Sequence, residues 1–222
     1  MISRGDRMKK EIHLKEVAYN FIKDKILSNE FESGQYLEES MLSEALGISR
    51  TPIREALNQL EKDRFVDIIR NKGVFVSVMD FKTTKELFDA RYYLEPVLLQ
   101  MSWENLEKDV LEGYLQAFED LQKQLDRDRS NRLDYEFHNY LNSRCNNRYM
   151  IGLMQGLSDQ FQRVRTIKYY DDTRLNGGVN EHVQLINLIF DNKKEEAVAL
   201  LGDHIKSTQK FFVQNFIENW GD

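Results

Sequence analysis

Few backbones accommodate the stretch Met41 to Leu57, MLSEALGISRTPIREAL. Met41, Leu42, Ala45 and Leu46 keep helical spacing up to Gly47. Ile53, Ala56, Leu57 and Leu60 resume it beyond Ser49, with Pro52 in the first turn of the new segment. Glycine suits the left-handed residue that ends a helix, and proline is harmless where a helix N–H has no partner anyway. The expected object is helix, tight turn, helix, with Ser49 or Thr51 capping the second. Arg50, Thr51 and Arg54 then project from the start of that second helix. In a helix-turn-helix this end enters the major groove, and the forked donors of Arg match guanine O6 and N7. An αα-hairpin with ordinary solvated arginines satisfies the same spacing.

The following residues narrow the choice. Phe65 to Arg70 and Val74 to Val78 are two short β-rich runs around Asn71-Lys72-Gly73, which predicts a hairpin with Lys72 and Gly73 at its tip. Helix, helix-turn-helix, hairpin is the order of a winged helix, whose wing tip is free to reach phosphates or the minor groove. The run Leu37-Glu38-Glu39, Leu42-Ser43-Glu44 and Leu46 to Leu57, followed by Gly73-Val74-Phe75-Val76, closely resembles the DNA-binding domain of the GntR family of bacterial transcription regulators. The resemblance covers roughly the first third of the chain. It implies that Arg50 and Arg54 read bases, that Thr51 holds a phosphate and that Gly73 sits at the wing tip.

Leu14, Val17, Ala18, Phe21, Ile22, Ile26 and Leu27 predict a supporting helix over about 14–28, and Gln35-Tyr36-Leu37 a short strand against the wing; Met1 to Ile12 show no clear period. At Met79 the character changes, dividing the chain into a DNA-binding domain over 1–80 and a second domain over 81–222. The whole chain carries −6, yet residues 45–79 hold six basic and four acidic side chains, whereas residues 81–222 hold 18 and 23. A small positive footprint on an acidic body excludes an indiscriminate polyanion binder. No apolar run approaches the ~18 residues of a membrane span, the start shows no signal peptide, and the single cysteine, Cys145, forms no internal disulfide. The cytoplasm is the expected location.

Beyond Met79 no β signal appears. Thr83 or Thr84 is the expected cap of a first helix, and helical patterns follow over 84–103, 106–127, 131–144, 147–169, 179–191 and 194–219, with breaks at Asn105, Asp128-Arg129-Ser130, Asn146-Asn147, Asn176-Gly177-Gly178 and Asn192. The expected fold is mainly α: an N-terminal winged helix-turn-helix with a small β-hairpin wing, then an all-α antiparallel helical bundle. Three of the four histidines lie in this bundle. Asp134 precedes His138 by four residues and shares its helix face; His182 and His204 follow apolar spacing on two further helices. One carboxylate and three imidazoles suit a divalent transition metal such as Zn, Ni, Mn or Fe.

The segments Asp134-x-x-x-His138-x-x-Leu141, Glu181-His182-x-x-Leu185-Ile186-x-x-Ile189 and Ala197-x-x-x-Leu201-x-x-His204-Ile205, with Arg91-x-x-Leu94-Glu95, are similar to the FCD effector-binding domain of one GntR subfamily. That resemblance spans about residues 83–215. It implies a bundle holding a divalent metal on Asp134, His138, His182 and His204, with a small organic acid bound at or beside it. Arg91, inside an apolar bundle, needs a partner, either the acid's carboxylate or Glu95 one turn away. Arg163, Arg165, Tyr169, Tyr135 and Asn142 are further candidates for the same cavity. The expected activity is that of a homodimeric regulator, a repressor by the family's habit, binding a near-palindromic operator under effector control. Two other readings fit the same ligand set: a regulator for which the ion is the signal, and a metal-dependent enzyme, which the absence of HExxH or a similar catalytic signature disfavours.

Overall fold

The computed structural model describes residues 4–166 and 172–218. The chain divides into two compact units, Met1–Met79 and Asp80–Asp222, each with its own core.

The first unit is built on α1 (Arg4–Leu27), α2 (Glu39–Leu46) and α3 (Arg50–Lys62), with strands β1 (Tyr36–Leu37), β2 (Val66–Ile69) and β3 (Gly73–Val76). Helix α1 begins at Arg4, well before the expected start, so the unpatterned first residues belong to it from there on. Its apolar stripe Ala18, Ile22 and Ile26 packs with Leu42 of α2, with Ile53, Ala56, Leu57 and Leu60 of α3, and with Phe65, Val66, Val74 and Val76 from the sheet. Val17, at the edge of that stripe, faces solvent. Helix α2 stops on Gly47, whose φ of 64° is the left-handed conformation that glycine adopts without a Cβ penalty. Ser49 occupies the N-cap position of α3 with extended backbone, but neither it nor Thr51 supplies the expected side-chain capping bond. The Ser43 hydroxyl instead donates to the Ile48 carbonyl across the turn.

The sheet order is β1-β3-β2, with Tyr36 opposite Phe75 and Ile69 opposite Gly73. Asn71 takes the left-handed conformation at the hairpin turn. Gly73 has φ 110°, and a Cβ there would lie 2.5 Å from the Tyr36 ring. Backbone conformation and this close approach thus explain the glycine.

The second unit is all helical among the described residues: α4 (Phe81–Ser102), a 3-10 turn (Trp103–Asn105), α5 (Lys108–Lys123), α6 (Arg127–Ser143), α7 (Arg148–Thr166), α8 (Asp172–Phe190) and α9 (Lys194–Glu218). Helix α4 touches α6, α7 and α9, while α8 bridges α5, α6 and α9. Phe88, Phe118, Phe137, Ile186, Leu201 and Phe212 fill the space between them. Neither threonine caps α4: the Asp80 carboxylate accepts from the Thr83 N–H at 2.7 Å, and Thr84 is buried. The break expected at Asn176-Gly177-Gly178 does not occur, because α8 runs unbroken through both glycines. A Cβ on Gly177 would lie 3.1 Å from Nη1 of Arg174, and one on Gly178 would lie 3.9 Å from the His204 ring. Two glycines cost helix propensity; Gly177 leaves room for Arg174, whereas a Cβ on Gly178 would make only ordinary contact.

Gly73→Ala should destabilise the first unit by about 1–3 kcal/mol, because the strained φ remains even if Tyr36 swings aside and gives up its stacking on Phe75. Urea unfolding followed by far-UV circular dichroism measures it; unchanged stability would show that the wing relaxes without cost.

Candidate metal centre and recognition surface

Helix α6 carries Asp134 and His138 one turn apart, and α8 and α9 bring His182 and His204 to the same point. One ligand atom from each residue lies within 4.8 Å of all the others. Nε2 of His138 and His182 are 3.2 Å apart, and Oδ1 of Asp134 lies 3.8 and 3.5 Å from them. Ligands bonded to one ion at about 2.1 Å stand about 3–3.4 Å apart, so these spacings approach the edges of a coordination polyhedron. His138, His182 and His204 are all buried.

Two carboxylates outside this set aim the imidazoles. Nδ1 of His138 lies 2.5 Å from Oε2 of Glu95, and Nδ1 of His204 lies 2.6 Å from Oε2 of Glu181. A carboxylate only accepts, so each Nδ1 carries the proton and each Nε2 presents its lone pair to the centre. Arg91 Nη2 also stands 3.2 Å from His138 Nδ1, but two donors cannot bond each other; the guanidinium acts as counter-charge to Glu95, to which its Nε donates at 2.5 Å. Burial alone would raise the Glu95 carboxyl, but Arg91 and His138 outweigh it and hold the group well below the usual carboxylate range. Burial, reinforced by the positive charges of Arg174 and Arg91, pushes the His204 imidazole well below its ordinary value. It is neutral at neutral pH, as a metal ligand must be.

A narrow cleft of about 40 Å³ lies over this cluster; it is lined by Arg91, Asp134, Phe161, Arg174, Gly178, His182, His204 and Thr208 among others. Of the candidates for the acid, Arg91 faces the cleft with its guanidinium 3.9 Å above the Phe161 ring. Three others do not line it. Tyr135, one residue on from Asp134 and so about 100° round α6, donates to Asp159. Asn142 is buried a full turn beyond His138, and Arg163 is buried on α7 with Nη1 donating to Gln160. The Arg165 side chain and Tyr169 lie outside the described residues.

Sequence reasoning missed Arg174 and the aiming role of Glu181. Arg174 grips Glu181 through Nη1 at 3.2 Å and Nη2 at 2.8 Å, and Nη2 also donates to the Thr208 hydroxyl at 2.5 Å. The signal was present: with α8 unbroken, Arg174, Gly178 and His182 follow at four-residue intervals on one face. The supposed glycine break hid it. On the first unit, Arg50, Thr51 and Arg54 are exposed along the start of α3, and Lys72 is exposed on the wing. Gly73, expected at the wing tip, opens β3 just past the turn.

Two family descriptions match the chain: "Bacterial regulatory proteins, gntR family" over residues 14–76 and "FCD domain" over residues 86–207. The Nta operon transcriptional regulator of Aminobacter aminovorans is 29% identical over 191 residues, 85% of this chain and 88% of its own. The HTH-type transcriptional repressor GlaR of Escherichia coli (strain K12) is 29% identical over 158 residues, 67% of this chain and 71% of its own. McbR/YncC of E. coli has the same fold, with a TM-score of 0.77 at 20% identity over 91% of this chain and 98% of its own.

Glu181→Gln should weaken zinc or nickel affinity by roughly 10–100-fold, because the amide holds the His204 imidazole less firmly. Competition against a chromophoric chelator measures this, and an unchanged constant would remove Glu181 from the centre.

Proposed function

This chain belongs to the gntR family of bacterial regulatory proteins and is a DNA-binding transcriptional regulator with an FCD domain, and on that premise we propose that it is a repressor whose operator affinity is set by a small carboxylate bound at a divalent metal. The observation that carries the reading is the meeting of Asp134, His138, His182 and His204 beneath a cleft that Arg91 also lines. Three imidazoles and one carboxylate leave coordination positions open. The ion supplies positive charge that binds a carboxylate oxygen directly. Arg91 offers the acid a forked donor, Phe161 supports the guanidinium from below, and Thr208 adds a hydroxyl. Because these residues come from α4, α7 and α9, a ligand among them favours one packing of the bundle over another. It acts on DNA only by the difference in its affinity for the two packings. Repression is the activity named for GlaR, whose chain is similar to this one.

Operator reading falls to Arg50 and Arg54, with Thr51 and Lys72 on phosphates. One recognition helix covers one half-site, so a palindromic operator calls for two copies of the chain. Helices α4 and α7, which pack against each other, carry exposed apolar side chains at four-residue spacing: Tyr93, Val97 and Met101 on the first, Tyr149 and Leu153 on the second. Gly152 and Gly156 beside them face open space, which lets another helix approach closely. We assign these faces to the homodimer.

Fluorescence anisotropy on an operator duplex, with metal-loaded protein and a panel of mono-, di- and hydroxycarboxylates, tests the effector reading. One acid should weaken binding tenfold or more, and Arg91→Lys, which keeps a positive charge beside Glu95 but loses the forked donor, should blunt that response. Affinity that follows free metal alone, indifferent to every acid, would make the ion the signal. Arg54→Ala should cost about 1–3 kcal/mol of specific binding. For the dimer, Val97→Glu combined with Leu153→Glu should yield monomers in sedimentation equilibrium and weaken operator binding; a stable dimer would place the interface elsewhere.

A further inference from the structure

We propose that Glu39 is a positioning residue that presets the Arg54 guanidinium for reading guanine. The inference rests on the base-reading role of Arg54 and goes beyond it. Nε of Arg54 donates to Oε2 of Glu39 at 2.7 Å, joining the first turn of α2 to the second turn of the recognition helix fifteen residues away. The Arg54 side chain is 63% exposed and that of Glu39 is 29% exposed. An ion pair so open to water adds little stability, so its presence calls for another explanation.

Geometry supplies one. With Nε engaged, the edge left for DNA is the Nη1–Nη2 fork, whose two parallel donors match guanine O6 and N7. Arg54 would otherwise lose several rotors of freedom on reaching a base. The pair spends that entropy in the free protein instead. Glu39 also places a negative charge beside the phosphates, which weakens binding to every duplex alike. The charge therefore cancels between duplexes, and Glu39 acts on specificity only through its hold on Arg54, since specificity is a difference of affinities.

The test uses the full chain, a duplex selected by the wild-type protein from a randomised pool, and a scrambled duplex of equal length. Glu39→Ala removes both charge and acceptor; Glu39→Gln removes the charge and keeps an acceptor for Nε. Both variants should bind scrambled DNA more tightly. Glu39→Ala should lose roughly tenfold in discrimination between the duplexes, whereas Glu39→Gln should stay within about threefold of wild type. Placing 7-deazaguanine at each guanine in turn removes single N7 acceptors. The guanine at which wild type is penalised and Arg54→Ala is not should also lose its penalty in Glu39→Ala, while the other guanines keep theirs. Wild-type discrimination in both Glu39 variants would overturn the positioning role, and so would equal loss in both, since an acceptor for Nε would then not be what sets the reading. Unchanged discrimination in Arg54→Ala would instead overturn the base-reading role itself.

Discussion

The ion pair between Arg91 and Glu95 orients the interior of the second unit. Its side chains are 5% and 1% exposed, and leaving either charge alone at that depth would cost several kcal/mol. Neither is alone. Glu95 takes the guanidinium on one oxygen and the His138 imidazole on the other, while Arg91 lies flat over Phe161. One pair on α4 thereby ties α6 and α7 to it and fixes the His138 tautomer. A buried salt bridge adds little net stability against an apolar replacement, so its value here lies in orientation.

Arg174, Glu181 and His204 repeat the arrangement: arginine on carboxylate, carboxylate on imidazole, imidazole on the centre. Both relays leave a guanidinium lining the cleft, each paired with the carboxylate that aims an imidazole. The first unit uses the same chemistry in water, where Glu39 holds Arg54 at the surface. There the surrounding dielectric removes most of the energy and leaves the geometry.

Much of the first unit was legible because its determinants are local. Gly47 ends α2 in the left-handed conformation that the spacing called for, and the hairpin follows from β-rich runs on either side of Asn71 and Lys72. The misreadings were of groups with more than one possible partner. Ser49 stands at the N-cap without capping, since the turn is closed by the Ser43 hydroxyl on the Ile48 carbonyl. Gly177 and Gly178 look like a break by propensity, yet α8, packed against α5, α6 and α9, runs through both. Tyr135, Asn142 and Arg163 shared helices with better-placed residues but not their faces toward the cleft.

Local order of residues alone determined the winged helix, the run of helices after Met79 and the spacing that put Asp134 and His138 on one face. The signals for those features are turns and periodicity within a dozen residues. Which carboxylate meets which imidazole was decided only by tertiary structure, because Glu95 and His138 are 43 residues apart and Glu181 and His204 are 23 apart. Side-chain pairing over such distances is set by how helices cross, and helix crossing depends on the shape of the whole core.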